Sequence, residues 1–196
     1  MNNNDILIRL RYALDIKNTD MIEIFRLGEV EVSKEDLEKI LTKSMDIYNF
    51  DTHREDGSVI EEVEASNNDD DAYEDIEKNE QHIECTNHML ESFLNGFIIF
   101  KRGKKESKPG EKPRQILTLK AGKSSNNVML KKLKIALNLT SDDMLDIFDK
   151  AGVSVSKSEL SAFFRKEGHK HYRSCLDKYA RSFLNGLTVV YRKEKE

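Results

Sequence analysis

Apolar residues recur at helical spacing along most of the chain, in stripes separated by short polar breaks. The first stripe lies on one face of a helix, because helical neighbours are three or four residues apart. It consists of Leu7, Leu10, Ala13 and Leu14. A second stripe spans residues 21–25, where Thr19 is expected to cap the helix and Gly28 to end it. Because the pattern continues in this way, it predicts an all-α protein.

The pattern occurs twice, so the chain contains an internal repeat. Residues 126–137 repeat residues 3–14 at an offset of 123, with the shared pattern N-N-x-x-L-x-x-L-x-x-A-L. The stretches D-M-x-x-I-F and V-S-K-x-x-L follow in both copies at the same offset. Near the end of each copy, S-F-L-N-G recurs at residues 92–96 and 182–186 with an offset of 90. We therefore expect two tandem copies of a roughly four-helix unit, the first carrying an insertion of 33 residues.

The third helix of each copy begins with a capping sequence. Ser33 is followed three residues later by Asp36, and Ser156 is followed by Glu159. A serine hydroxyl caps the backbone N–H groups of the first turn, and an acidic residue three positions on completes a capping box. Both helices are therefore predicted to start at these serines.

The S-F-L-N-G stretches predict the fourth helix of each copy, with their Phe and Leu residues facing the core. Asn95 and Asn185 are interpreted as helix-terminal caps. Gly96 either ends its helix or lets another backbone approach closely, and Gly186 is its counterpart. The apolar run at residues 97–100 is expected to add further helix.

Composition divides the chain into domains. Residues 1–100 form the predicted first repeat and residues 124–196 the second. Within the first repeat, residues 44–81 are acidic and contain few apolar residues, which predicts a disordered or loosely helical insert. Residues 101–123 contain both prolines and nine basic against two acidic residues, as is typical of a flexible basic linker.

The net charge of −4 is the sum of an acidic segment and a basic segment with large opposite charges. Residues 44–84 carry 15 acidic and 2 basic side chains, whereas residues 97–196 carry 23 basic and 11 acidic ones. The C-terminal half is therefore suited to a polyanion. One hypothesis is that the acidic insert folds back on the basic half and competes with nucleic acid.

Two features indicate a cytoplasmic protein without membrane association. There is no run of 18 apolar residues, and the N-terminus lacks the basic and apolar regions of a secretory signal. Cys85 and Cys175 occupy equivalent positions in the repeat and are interpreted as buried thiols in a reducing compartment.

Residues 143–166 have the outline of a DNA-reading helix-turn-helix, in which the second helix enters the major groove. The exposed candidates for phosphate and base contacts are Lys157, Ser158, Ser161, Arg165 and Lys166. However, the turn is longer than in the tight form of the motif, and the equivalent helix of the first copy is acidic. A helical hairpin packed for stability therefore remains the alternative interpretation.

The basic linker is a second candidate for nucleic-acid contacts. Its first cations are Lys101, Arg102, Lys104 and Lys105. Such residues neutralise phosphates without sequence preference, and the resulting binding weakens steeply with salt. The alternative is a solvated linker that binds nothing.

Motifs of catalysis and metal binding are absent from the sequence. His169 and His171 precede Cys175 and Asp177, but the spacing is not that of a zinc site. The chain has no P-loop, Rossmann glycine pattern, nucleophile elbow or H-E-x-x-H sequence. We expect no metal, no cofactor and no enzymatic activity.

Taken in order, these motifs resemble the YehS-like proteins of bacteria, a tandem domain of unknown function. The resemblance is best at residues 127–136 and 156–172 and covers nearly the whole chain except the acidic insert and part of the linker. It implies a bacterial cytoplasmic helical protein and supplies no catalytic or ligand-binding residues. Two functions remain as expectations. One is a nucleic-acid-associated or regulatory protein acting through its basic half, and the other is a protein-interaction or self-association module, including a homodimer.

Overall fold

The computed structural model describes residues 1–42, 82–104, 119 and 125–193. The helices of the first copy are α1 (Asn3–Ala13), α2 (Asn18–Leu27), α3 (Lys34–Leu41) and α4 (Asn87–Arg102). Those of the second copy are α5 (Asn126–Ala136), α6 (Ser141–Lys150), α7 (Lys157–Phe163) and α8 (Asp177–Lys193). The prediction of an all-α fold built from two four-helix copies is confirmed. The predicted acidic insert at residues 44–81 and most of the predicted linker lie outside the described residues.

Most of the predicted helix ends agree with the structure. Ser33 Oγ accepts a hydrogen bond from Asp36 N at 3.0 Å, which starts α3. Ser156 and Glu159 form a complete capping box at the start of α7. The expected cap at Thr19 is wrong, because α2 begins one residue before it and has no side-chain cap. A cap at Thr19 requires the helix to begin at Asp20, so a start two residues earlier places Thr19 in the first turn and removes that role.

The second of two adjacent asparagines ties the first helix of each copy to the segment before its fourth helix. Asn4 Nδ2 donates to the carbonyl oxygens of Ile40 and Ile83, both at 2.8 Å. In return, Cys85 N donates to Asn4 Oδ1 at 2.9 Å. A single amide therefore satisfies three buried or half-buried backbone groups that no helix supplies with a partner.

The second copy repeats this arrangement atom for atom. Asn127 Nδ2 donates to the carbonyl oxygens of Phe163 and Arg173, at 2.9 and 2.8 Å. Cys175 N donates to Asn127 Oδ1 at 2.8 Å. The repeated asparagine pair in the sequence is therefore a structural element of each copy.

The two copies share one hydrophobic core because each contributes its first helix to the other. The main partner of α1 is α8, and the main partner of α5 is α4, whereas α1 meets α4 and α5 meets α8 less extensively. Buried side chains from all eight helices belong to a single hydrophobic cluster. The fold is therefore an exchanged pair with approximate two-fold symmetry, which places α4 directly beside α5.

Within each copy, the glycine of S-F-L-N-G allows two helices to pack at close range. A Cβ at Gly96 would lie 1.9 Å from the carbonyl oxygen of Ile24, where α4 meets α2. A Cβ at Gly186 would lie 2.0 Å from the carbonyl oxygen of Ile147, where α8 meets α6. Only glycine permits such an approach, because every other residue carries that Cβ.

The interpretation of Asn95 and Asn185 as helix-terminal caps is wrong. Both asparagines lie inside long helices, and residues 97–100 continue α4 as predicted. Asn185 Oδ1 accepts a hydrogen bond from Arg9 NH1 at 3.4 Å, and Asn95 Oδ1 accepts one from Lys132 Nζ. Each asparagine therefore joins its own copy to the first helix of the other copy.

Candidate functional site

A groove opens where the C-terminal end of α4 meets α5 and the residue that follows α7. Its volume is about 810 Å³, within the range of about 300–1,000 Å³ that is usual for ligand sites. It is lined by Ile98, Arg102, Gly103, Lys104, Lys131, Lys134, Ile135, Asn138, Leu139 and Phe164. Every ionisable residue in this lining is basic, so we refer to the site as the basic groove.

Arg102 joins the two copies at this groove. Its NH1 donates to the carbonyl oxygen of Ile135 at 3.0 Å and to Asn138 Oδ1 at 2.9 Å. Asn138 has φ 55, a left-handed conformation that asparagine tolerates well. Since Arg102 is exposed and held by both bonds, its cation has a fixed position before any ligand binds.

Three lysines supply the remaining charge of the groove. Lys134 Nζ donates to the carbonyl oxygen of Leu139 at 2.8 Å, while Lys104 and Lys131 are exposed. Among the described residues, the lining contains no carboxylate. A concave surface of one sign concentrates its field and attracts counterions of the opposite sign, so the groove is suited to an anionic ligand.

A corresponding face exists in the first copy. It includes Ile8, Arg11, Tyr12, Asp15 and Arg192. Arg192 Nε donates to the carbonyl oxygen of Tyr12 at 2.9 Å, but Arg192 NH2 also lies 3.9 Å from Asp15 Oδ1. The first copy therefore places a carboxylate where the groove has Asn138, and Ile8 where the groove has Lys131. As a result, in the part of the chain that the structure describes, the two equivalent faces differ in charge and only that of the second copy lacks a carboxylate.

The residues predicted on α7 lie on a surface of mixed charge. Lys157 Nζ lies 2.7 Å from Asp142 Oδ1 at the start of α6. Ser158 and Ser161 are exposed, and Ser158 Oγ lies 3.0 Å from Ser156 Oγ. None of these residues lines the basic groove.

Arg165 and Lys166 lie closer to the groove. Both are exposed and follow directly after Phe164, which lines it. Arg165 NH1 lies 3.5 Å from His169 Nδ1. The turn after α7 therefore places two further cations beside Phe164.

The candidates predicted in the linker have different locations. Lys101 and Arg102 form the last turn of α4, and Lys101 Nζ lies 5.7 Å from the ring centroid of Phe97. Lys104 lines the groove together with Arg102, whereas Lys105 lies outside the described residues. Two of the four predicted cations therefore belong to the groove.

Comparisons with known proteins identify a family. The family model described as "Protein of unknown function (DUF1456)" matches residues 3–103 and 126–193. The uncharacterized protein YehS of Escherichia coli (strain K12) is 34% identical over 195 residues, which cover 100% of this chain and 99% of that protein. No solved structure matches the chain. The chain belongs to the DUF1456 family. The predicted resemblance to YehS-like proteins is confirmed.

In this DUF1456 protein, the sequence contained a signal for the groove residues that the predictions missed. Aligning the copies at their offset of 123 pairs Lys131 with Ile8 and Asn138 with Asp15. Both differences make the second copy more positive, one on α5 and one in the turn that follows it. Their relation to Arg102 could not be predicted, because it depends on the exchange of helices between the copies.

Two kinds of feature are absent from the part of the chain that the structure describes. No three His, Cys, Asp or Glu side chains in these residues are placed to share a metal ion. In the same residues, no helix is long and apolar enough to cross a membrane.

The two cysteines of the DUF1456 protein lie in surroundings that keep their thiols buried and neutral. Both thiols are free and buried, and each donates to the next residue's carbonyl oxygen at 3.7 Å. Burial raises the pKa of Cys85 and of Cys175 to about 12, and a nearby carboxylate (Glu84 and Asp177, respectively) adds to the effect. A thiol held in its neutral form is a poor nucleophile and a poor metal ligand.

Proposed function

We propose that this DUF1456 protein binds nucleic acid through the basic groove, as a binding protein without enzymatic activity. The observation that carries the proposal is the lining of the groove, which contains four cations and no carboxylate. Positively charged side chains that neutralise phosphates supply most of the affinity of a nucleic-acid-binding protein. The groove therefore suits a ligand with several phosphates better than one with a single charge.

The comparison between the copies also supports this proposal. Both copies place an arginine from their fourth helix against the end of the other copy's first helix. In the first copy, Asp15 lies beside that arginine, whereas Asn138 takes its place in the groove. Because the frameworks match, the excess positive charge of the groove is not needed for the fold.

The proposal places the phosphate contacts in the groove and not on α7. Lys157 is paired with Asp142, and the α7 capping box contributes the carboxylate of Glu159. A phosphate approaching the start of α7 would therefore meet two carboxylates along with the lysine. Arg165 and Lys166 remain as additional contacts at the edge of the groove.

The test is fluorescence anisotropy of labelled single-stranded DNA, duplex DNA and structured RNA, titrated with the full-length protein. We expect saturable binding to at least one of them. If four cations contact phosphates, affinity should fall roughly 50–150-fold when salt rises from about 50 to about 200 mM. A Lys104→Ala/Lys131→Ala variant should bind at least about tenfold more weakly, because it removes two phosphate contacts.

A matched control distinguishes phosphate contacts in the groove from the effect of the protein's net charge. A Lys17→Ala/Lys34→Ala variant removes the same charge from exposed positions of the first copy and should bind like the wild type. Equal loss in both variants would contradict the groove, and loss only in Lys157→Ala would move the site to α7. Absence of binding together with a concentration-dependent oligomer would instead favour the self-association module.

A further inference from the structure

We infer that the basic groove accepts a single strand of nucleic acid, with its bases against an apolar floor, in preference to a duplex. This inference rests on the proposed function and adds the class of ligand. The groove lining contains an apolar set as well as its four cations. This set consists of Ile98, Ile135, Leu139 and Phe164.

Each face has one exposed apolar or aromatic side chain, Ile135 in the groove and Tyr12, which is 54% exposed, in the first copy. Ile135 is 41% exposed on α5. Its counterpart Tyr12 lies under the guanidinium of Arg192, at 3.7 Å from the ring centroid. In the groove, Arg102 instead bonds to the carbonyl oxygen of Ile135 and to Asn138. The side chain of Ile135 thus remains available to an apolar group of a ligand.

A duplex would use this surface poorly. It presents phosphates, sugars and the edges of its bases, while the base faces are stacked inside, so the apolar floor would have no base face to pack against. A single strand is able to turn its bases toward an apolar or aromatic wall while its phosphates meet lysines and arginines. The combination of Phe164 and Ile135 with cations on the same concave surface fits the single strand.

The shape of the site agrees with this ligand. The lining comes from four places in the fold, namely the end of α4, one face of α5, the turn that follows α5 and the residue after α7. At about 810 Å³, the groove is an open concavity of ligand-site size. Unstacked bases enter a concave pocket, which the rigid surface of a duplex does not.

The experiment compares three labelled DNA probes at one salt concentration with the full-length protein. They are a mixed-sequence single strand, the duplex of that sequence, and an abasic single strand of equal length. We expect the single strand to bind at least about tenfold more tightly than the other two, because each base contact of this kind contributes on that scale. The abasic probe carries the same phosphates, so it separates base contacts from charge.

Ile135→Ser tests the apolar floor directly, and Tyr12→Ser is its matched control on the equivalent face. We expect Ile135→Ser to weaken single-strand binding several-fold, to leave the salt dependence unchanged and to leave the thermal midpoint close to wild type. Tyr12→Ser should bind like the wild type.

The outcomes separate this inference from the proposed function. Equal affinity for all three probes, or no effect of Ile135→Ser on the single strand, would overturn the inference while the groove remained a phosphate-binding site. Failure of all three DNA probes to bind would overturn the inference, and failure of the structured RNA as well would overturn the proposed function.

Discussion

Lys132 of α5 forms an ion pair with the fully buried carboxylate of Glu91 on α4, with 3.0 Å between Nζ and Oε1. Lys132 is 12% exposed and Glu91 is 0% exposed, and Leu119 N also donates to Glu91 Oε2 at 2.7 Å. Burial is the main cause that lowers the pKa of Lys132, and Glu91 opposes it. The pair therefore links the second copy to the first where α4 packs on α5, the two helices that supply most of the groove lining.

The equivalent position on the other side of the molecule has no such pair. In the alignment of the two copies, Arg9 is equivalent to Lys132 and Arg181 is equivalent to Glu91, so two cations replace the ion pair. The Nε of Arg9 is buried and has no hydrogen-bond partner among the described residues. The two exchanged interfaces are thus chemically different although their backbones repeat.

Removal of one member of the buried ion pair should strongly destabilise the protein. Lys132→Met leaves the Glu91 carboxylate buried without its cation, and we expect a loss of about 3–5 kcal/mol in the free energy of unfolding. The double variant Glu91→Gln/Lys132→Met should recover most of that loss, because neither buried charge remains. Urea denaturation of the wild type, the single variants and the double variant gives the coupling energy.

The exposed pair of Arg26 and Glu23 provides the control for this cycle. Arg26→Met should leave the urea midpoint nearly unchanged, because exposed ion pairs contribute little. If the losses of unfolding free energy in Glu91→Gln and Lys132→Met add up to the loss in the double variant, the two residues do not stabilise the contact between α4 and α5 as a pair.

The glycines of the repeated S-F-L-N-G sequence should tolerate no side chain. Gly96→Ala and Gly186→Ala would place a Cβ about 2 Å from a backbone carbonyl oxygen, so the helices must separate. We expect each to cost about 3 kcal/mol or more in urea denaturation, at the upper end of overpacking effects. Gly152→Ala is the control, because its Cβ would meet nothing within 4 Å and only its φ of +74 is unfavourable. Its cost should be about 1–2 kcal/mol, and equal costs at all three positions would contradict steric contact.

The asparagines that hold the fourth helix should be equally important in both copies. Asn4→Ala and Asn127→Ala each remove three hydrogen bonds to backbone groups. We expect each variant to lose about 2–4 kcal/mol of unfolding free energy, since buried groups left without partners are costly. Asn2→Ala removes only the cap of α1 and should cost about 1 kcal/mol. An Asn127→Ala protein as stable as Asn2→Ala would show that these bonds do not hold the segment.

The buried thiols should make stability fall at alkaline pH. The pKa of Cys85 and of Cys175 is about 12 in the folded protein, against an ordinary value of 9.0. The unfolded chain therefore releases these protons first, and their contribution to stability is complete below pH 9 and is lost between pH 9 and about 12. In urea denaturation across this interval, the free energy of unfolding of the wild type should fall as pH rises. It should fall less steeply in the Cys85→Ala/Cys175→Ala variant.

Thiol titration with a chromogenic disulfide at pH 8 provides a second measurement of the same property. Both cysteines should react slowly in the native protein and rapidly in urea. Rapid reaction of either thiol under native conditions would contradict its burial.

The helix starts were predictable because their causes are local. Ser33 and Ser156 bond to backbone N–H groups three residues away, so the sequence contains both partners. Thr19 failed because the exact start of α2 lies one residue earlier and no side chain fixes it. One potential capping residue therefore does not decide between helix starts that lie one or two residues apart.

The candidate site was predictable only in part. The basic character of the C-terminal half identified Arg102 and Lys104, since charge is visible in the sequence. Lys131 and Ile135 of α5 and Phe164 after α7 were missed because they meet Arg102 of α4 only in the folded protein. Lys104 and Phe164 are 60 residues apart in the sequence, so the sequence also did not show that both line one groove.

The sequence by itself determined the eight helices, their repeat and the asparagine and glycine positions that recur in both copies. These features depend on spacing within about 10 residues or on direct comparison of the two copies. Only the tertiary structure decided that each first helix packs on the fourth helix of the other copy. The apolar stripes of the two copies are nearly the same, so periodicity favours packing within a copy and between copies equally. The choice depends on contacts between distant residues such as Glu91 and Lys132, and the basic groove exists because of it.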